Sequence, residues 1–489
     1  MFRGLLHLLT VPSFLSVLAY GSTSLQTFWP AAVPLAVRSP YLSAWQSTTK
    51  GINVTSEWSR FWPNHGLLLG WTGHIRVDST TYRWLGNDTW STAGNLAGIE
   101  VTPTRTIYNV QAGPMDVTIT FLSPIEPSDW VRQSIPFSYM AVNASSNDGL
   151  AHSVQLYSDI TAEWVSGNRS ALVNWSTATT DQSVYHKIEL TSPTAFEEIQ
   201  NQANDGVAYY SMTMGPHVTY QTGSAPTVRT QFQQQGSLQN TNDTDFRIIG
   251  PADQPVFAIS VNLGSIQATQ SSVVWAIGYV RDPSIKYTTS SGQTQLRSPY
   301  YRTQYSSVQD IISEFLSDYS NAETRAEDLD NQLMQASSSI SNEYSQIVSL
   351  AARQTFGSID ITVANGTDGN WNTSDVMIFM KNMGIDGRVN PVEIMYASFP
   401  LFLYLNASFG KPLLAPLFEY QDSPQTALPY AMSDLGGSYP IASGENGTSS
   451  ESESSWGIER KIWKYAHHDS GSCEADWRWF TDWPTLWPP

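Results

Sequence analysis

Few residues in this chain have the chemistry and spacing to act as nucleophiles or metal ligands. Cys473 is the only cysteine, and no Gly-x-Ser-x-Gly elbow occurs, so a thiolate or an elbow serine is not indicated. His467, His468, Asp469 and Cys473 lie close together, but adjacent histidines do not share a helix face and no second matched pair follows, so no metal is expected. Neither a glycine-rich phosphate loop nor a dinucleotide fingerprint is present, and no cofactor is expected. What remains for hydrolysis is a carboxylate that activates water, with a cation or N–H groups for the charge that develops. The chain holds 43 acidic against 25 basic residues.

That balance gives a net charge of −18 and a pI of about 4.7, which repels phosphate backbones and anionic lipid, so nucleic acid and membrane surfaces are not expected partners. With 489 residues, 41% hydrophobic and 12% aromatic, the chain can bury a large core and form more than one domain. Arg3, the apolar run Leu5 to Leu18 and the small residues Ala19 and Gly21 read as a signal peptide over 1–21, and hence as export to the extracellular space. Asn-x-Ser/Thr acceptors at Asn53, Asn87, Asn143, Asn168, Asn174, Asn242, Asn365, Asn372, Asn406 and Asn446 fit that address. A lone cysteine allows no internal disulfide, so stability must come from the core.

Any reactive group must be positioned by the elements, and from about Thr27 to Pro283 these read as strands. Met115, Val117, Ile119 and Phe121 alternate with polar residues; Ile135, Phe137, Tyr139 and Ala141 do the same, and Val154, Leu156 and Ile160 follow. Such alternation turns one face inward and the other to water, and the many short strands imply an antiparallel β-sandwich over 27–290. Trp58, Trp62, Trp71 and Trp84 could stack on sugar rings, but membership of the sandwich core is the better reading; Glu163 and Trp164 carry the same ambiguity.

Near Tyr305 the period changes. Val308, Ile311, Ile312, Phe315, Leu316 and Tyr319 recur at helical spacing, as do Leu329 and Leu333, then Ile340, Tyr344, Ile347, Val348 and Ala351. Further apolar helices are expected at Pro391 to Leu405 and Lys411 to Tyr420. The tract Ser449-Ser450-Glu451-Ser452-Glu453-Ser454-Ser455 has too little apolar surface to offset its ordering entropy and reads as a break before a Trp-rich tail.

Several blocks in one order resemble the secreted fungal glutaminases: Pro34 to Leu42, Gly70 to Asp78 with Trp84-Leu85-Gly86, Tyr157 to Trp164, Ile378 to Lys381, and Ala431 to Gly436. The resemblance covers roughly 30–444. It implies an N-terminal β domain, a helical connector over 300–355 and an α/α toroid of the six-hairpin type starting over 356–443. Residues 444–489 do not resemble the family, so the toroid is expected to be incomplete.

The resemblance also implies the reaction, L-glutamine to L-glutamate and ammonia, with glutamine the small-molecule partner. Asp434 lies in the best-matching block beside Tyr430 and becomes the first candidate for the carboxylate that activates water. Glu393, in Asn390-Pro391-Val392-Glu393, is the second, where the family more often carries Asp. Lys381 would bind a substrate carboxylate as a point charge, and Tyr430 is the other candidate for substrate binding. Two alternatives stay open: a non-catalytic remnant whose sandwich binds a glycan or partner, and a glycoside-hydrolase-like enzyme, the latter by fold analogy alone.

Overall fold

The computed structural model of the protein describes residues 30–49, 53–62, 67–250, 253–366, 368–384, 386–425 and 432–444. The expected signal peptide, Tyr430, Asn446 and the tail beyond 444 lie outside these residues.

Two large sheets face each other. One has eight strands, in the spatial order Val173–Thr179, Ser183–Leu190, Val207–Thr213, Val273–Val280, Phe137–Ser146, Met115–Leu122, Arg105–Ala112 and Asn95–Val101. The other has six, in the order Val218–Ser224, Pro255–Ile266, His152–Thr161, Trp71–Val77, Thr80–Leu85 and Thr92–Ala93. Edge-on aromatic contacts join them, Trp71 to Phe121 at 5.4 Å and Trp175 to Phe257 at 5.5 Å. Met115, Val117, Ile119 and Phe121 all point into this core, as do Val154, Leu156 and Ile160. Trp71 and Trp84 are buried in it too, which settles them as core residues.

The strand Phe137–Ser146 departs from the expected pattern of one wet face. Met140, Val142 and Ala144 face the sandwich core, whereas Phe137, Tyr139 and Ala141 face outward into a second apolar cluster. Helices supply the cover. α1 (Trp130–Ser134) and α2 (Ala225–Gln235) are followed by α3 (Val308–Ser317) and α4 (Tyr319–Ser338), and Ile311, Ile312, Phe315, Leu316 and Tyr319 lie against that outer face. The Tyr139 ring stacks on Phe315 with centroids 3.8 Å apart, and its hydroxyl donates to the Phe315 carbonyl at 2.6 Å. On the opposite sheet, Val228 and Phe232 of α2 cover Tyr157, Val256 and Ala258 in the same way.

α5 (Asn342–Gly357) packs beside α4, and its buried side is small and polar, with Ser345, Ser349, Ala352 and Arg353. Ile340, Tyr344 and Ile347, read from their spacing as an inner stripe, are instead exposed. After α5 the chain forms the strands Ile359–Asn365 and Trp371–Met380, which were not expected. These join Thr294–Pro299, Ile285–Thr288 and Ile441–Ala442 in a five-stranded sheet. α6 (Val392–Asn406) and α7 (Gly410–Gln421) then occupy the two positions where apolar helices were expected.

One buried carboxylate fastens the helices to the sandwich. Asp330 of α4 accepts from the Thr102 hydroxyl at 2.6 Å, the Thr104 N–H at 2.8 Å, the Thr104 hydroxyl at 2.9 Å and Arg105 Nε at 3.0 Å. Arg353 of α5 grips the same loop, donating to the carbonyls of Pro103 at 2.9 Å and Thr102 at 3.1 Å. Burial lowers its pKa to about 9. Removing one partner of such a network leaves the others desolvated and unpaired. Asp330→Ala should therefore cost about 3 kcal/mol, read as a lowered thermal midpoint. An unchanged midpoint would show that the seam does not depend on this carboxylate.

Candidate active site

The site is assembled at the end of the strand Trp371–Met380, where the chain must turn back and enter α6. Lys381 forms a single bridge with Val389, and Gly387 takes a left-handed φ of 67° in the turn between them. Asn390 holds the turn. It has a φ of 47°, which Asn tolerates better than most residues, and it is fully buried. Its Oδ1 accepts from the Met380 N–H at 2.7 Å, and its Nδ2 donates to the carbonyls of Ile378 at 3.2 Å and Leu413 at 3.1 Å. Strand, turn and α7 are thereby fixed relative to one another. Pro391 caps α6, which places Glu393 in the first turn, where the positive end of the helix favours a carboxylate.

Residues 432–444 lie alongside this turn. The Val389 N–H donates to the Gly436 carbonyl at 2.9 Å, Leu435 N–H to Val389 at 2.8 Å, Tyr439 N–H to Gly387 at 2.9 Å and Val392 N–H to Ser433 at 2.9 Å. These bonds bring Asp434 to Arg388 and Glu393. Arg388 donates from Nε to Asp386 at 2.7 Å, from Nη1 to Asp434 Oδ2 at 3.4 Å and from Nη2 to Glu393 Oε1. Burial opposes the guanidinium charge, but the bonds it donates to Glu393 and Asp386 outweigh it and hold the pKa above the usual arginine range.

Asp434 is buried, and both its oxygens are occupied. Oδ1 accepts from the Gly436 N–H at 2.9 Å, and Oδ2 accepts from the Ser433 hydroxyl at 2.9 Å as well as from Arg388. Glu393 differs. Its Oε1 meets Arg388, while its Oε2 is enclosed and has no hydrogen-bond partner.

A second polar cluster stands behind the turn. Lys381 is buried and paired with Glu198, whose Oε1 also accepts from the Tyr41 hydroxyl at 2.6 Å. Burial draws the Lys381 ammonium below the lysine range against the opposing pull of Glu198. Nearby, Arg281 pairs with Asp205 at 2.6 Å and lies over the Tyr41 ring at 4.7 Å, and the Tyr439 hydroxyl donates to Asp360 at 2.6 Å. Burial raises Asp360 above the usual carboxylate range despite Tyr439 and Arg281. Beside Asp360, Arg281 and Tyr41 is a cavity of about 20 Å³, which suits one water and not an amino acid.

Two of the residues proposed from sequence thus come together, Asp434 and Glu393, through Arg388. Lys381 belongs to the cluster behind them and spends its charge on Glu198; Tyr430 lies outside the described residues. Arg388, Glu198, Tyr41, Arg281 and Asp360 were not singled out from the sequence. Arg388 could have been, since it stands between Gly387 and the Asn390-Pro391 pair within a block that must turn. Of the asparagine acceptors, Asn53, Asn87, Asn168, Asn242, Asn365 and Asn372 are exposed, and Asn143, Asn174 and Asn406 are half-buried.

Fold and site together define a β-plus-α protein whose sheets are followed by the start of a helical-hairpin region, with a carboxylate–guanidinium cluster at the turn into it. Residues 104–336 match a family described as a domain of unknown function (DUF5127), and residues 341–458 match the family described as the glutaminase A six helical-hairpin domain. Glutaminase A of Aspergillus oryzae is 36% identical over 442 residues, covering 88% of this chain and 62% of that protein. A probable glutaminase of Arthroderma benhamiae is 30% identical over 445 residues, covering 85% of this chain and 50% of that protein. The chain belongs to the glutaminase A-type family. It spans between half and two thirds of the length of these two relatives. A solved glycoside hydrolase of family 81 from Clostridium thermocellum aligns at 8% identity over 68% of this chain and 48% of that one, and its TM-score of 0.09 carries no argument.

The Lys381–Glu198 pair ties the turn to the sandwich. Glu198→Ala should leave a buried ammonium unpaired and destabilise the protein by about 3 kcal/mol, whereas Lys381→Met paired with Glu198→Leu should recover most of the loss. Denaturant midpoints of the single and double variants test this, and equal losses in both would show that the charges are not coupled.

Proposed function

We propose that this chain is a secreted glutaminase that hydrolyses the side-chain amide of L-glutamine to give L-glutamate and ammonia. The family supports the reaction class, because the relatives carry the glutaminase name over most of this chain. The observation that carries the reading to a site is Arg388 holding Asp434 and Glu393 on one guanidinium. A carboxylate in that cluster can activate water, and the guanidinium can steady the negative charge that develops on the amide oxygen.

Purified protein should release ammonia from L-glutamine, and Arg388→Ala should lower kcat/KM by roughly 100-fold, the scale of a lost transition-state donor. A folded wild-type protein that releases no ammonia overturns the reading.

Secretion rests on the leader read over 1–21 and on the exposed acceptor asparagines. The protein expressed in a fungal host should be found in the culture medium, beginning after Gly21, and should lose mass on treatment with an endoglycosidase. Retention inside the cell with an intact leader would contradict it.

A further inference from the structure

We infer that Glu393, and not Asp434, takes the proton from the hydrolytic water, and that Asp434 is a positioning residue acting through Arg388. This rests on the hydrolase reading above. A general base must have a lone pair free for the proton it accepts. Asp434 is poorly supplied: Oδ1 is tied to the Gly436 N–H, and Oδ2 to the Ser433 hydroxyl and Arg388. These three bonds leave one acceptor site, on Oδ1, and a proton there would weaken the bond from the Gly436 N–H that shapes the turn.

Glu393 Oε2 is in the opposite situation. Among the described residues it is the only enclosed carboxylate oxygen without a hydrogen-bond partner. An enclosed acceptor left unmatched is costly, and its persistence calls for a ligand or water that supplies the missing donor. The other oxygen is fastened to Arg388, so the group is oriented and its second oxygen is left unpaired. Asp434 holds Arg388 at Nη1, and Asp386 holds it at Nε. The bonds named use one N–H on each terminal nitrogen of Arg388, and each of these nitrogens carries a second N–H.

The step balances with water alone. Glu393 Oε2 takes a proton from water while the water oxygen bonds to the amide carbon, and the C=O π pair moves to oxygen as an oxyanion facing Arg388. The proton then passes from Glu393 to the amide nitrogen. The oxyanion pair reforms the carbonyl, the C–N bond breaks with its pair on nitrogen, and ammonia leaves. The new acid gives up its proton, so glutamate and ammonium result and Glu393 is again ionised.

Steady-state kinetics of the full chain on L-glutamine across pH separates the two roles. Glu393→Gln should lower kcat by 100-fold or more with KM within about threefold, and the acid limb of the kcat profile should disappear. Glu393→Asp, which keeps the charge but draws it back by one methylene, should also lower kcat, and it serves if the amide variant does not fold. Asp434→Asn should cost about tenfold while keeping the acid limb, with Asp434→Glu recovering part of the loss. The assignment is overturned if Glu393→Gln keeps more than a tenth of wild-type kcat, or if the acid limb vanishes in Asp434→Asn and survives in Glu393→Gln. A folded wild-type protein without activity is a different result, since it removes the hydrolase reading itself and this assignment with it.

Discussion

The Asp330 carboxylate makes the two halves of this protein one structure. A sandwich edge loop presents the Thr104 N–H, two threonine hydroxyls and the Arg105 guanidinium, and one buried side chain of α4 accepts from all four groups. Apolar packing alone would let the helices slide on the sheet, because dispersion and burial are non-directional. Four converging bonds fix the register, and Arg353 of α5 adds two more to the same loop. The stack of Tyr139 on Phe315 then has a defined partner, and the outer face of the eight-stranded sheet becomes a second core.

From that seam the position of the site follows in short steps. α5 runs into the strand Ile359–Asn365, which joins Thr294–Pro299 on one side and Trp371–Met380 on the other. The second of these strands ends at the turn that Asn390 pins to α7. Residues 432–444 close the arrangement, since Ile441–Ala442 pair in parallel with Lys286 and Tyr287. Arg388 therefore stands in a turn that is bonded to the returning segment, and each of the two also has an anchor of its own. Its three carboxylates come from its own turn, from the first turn of α6 and from the returning segment.

The strands were legible wherever side-chain alternation met a core on one side. Met115 to Phe121 shows this, with Asp116 exposed between buried neighbours. Phe137, Tyr139 and Ala141 showed the strand but not its surroundings, because period two says nothing about what covers each face. α5 misled in another way. Its larger apolar residues, Tyr344 and Ile347, recur at helical spacing, yet the buried side of the helix is the one with Ser345, Ser349 and Ala352. Helical spacing alone therefore does not tell which side of a helix is covered. In the site, Asp434 and Glu393 were found through family blocks, whereas the pairing of Lys381 with Glu198 spans 183 positions and leaves no local pattern.

That long-range pairing explains why Lys381 cannot be read as a freely available cation. A buried ammonium is tolerable only while its partner is in place, and Glu198 also serves the Tyr41 hydroxyl. Spending Lys381 on a substrate carboxylate would leave Glu198 and the ring cluster of Tyr41 and Tyr439 to reorganise. Arg388 carries no such penalty. It is a fork with N–H groups beyond those that hold its carboxylates, and it stays charged because its partners more than offset its burial. The division of labour is therefore physical before it is catalytic: the ammonium secures the turn against the sandwich, and the guanidinium, part-exposed and multiply held, presents charge at the side where Glu393 keeps an oxygen free.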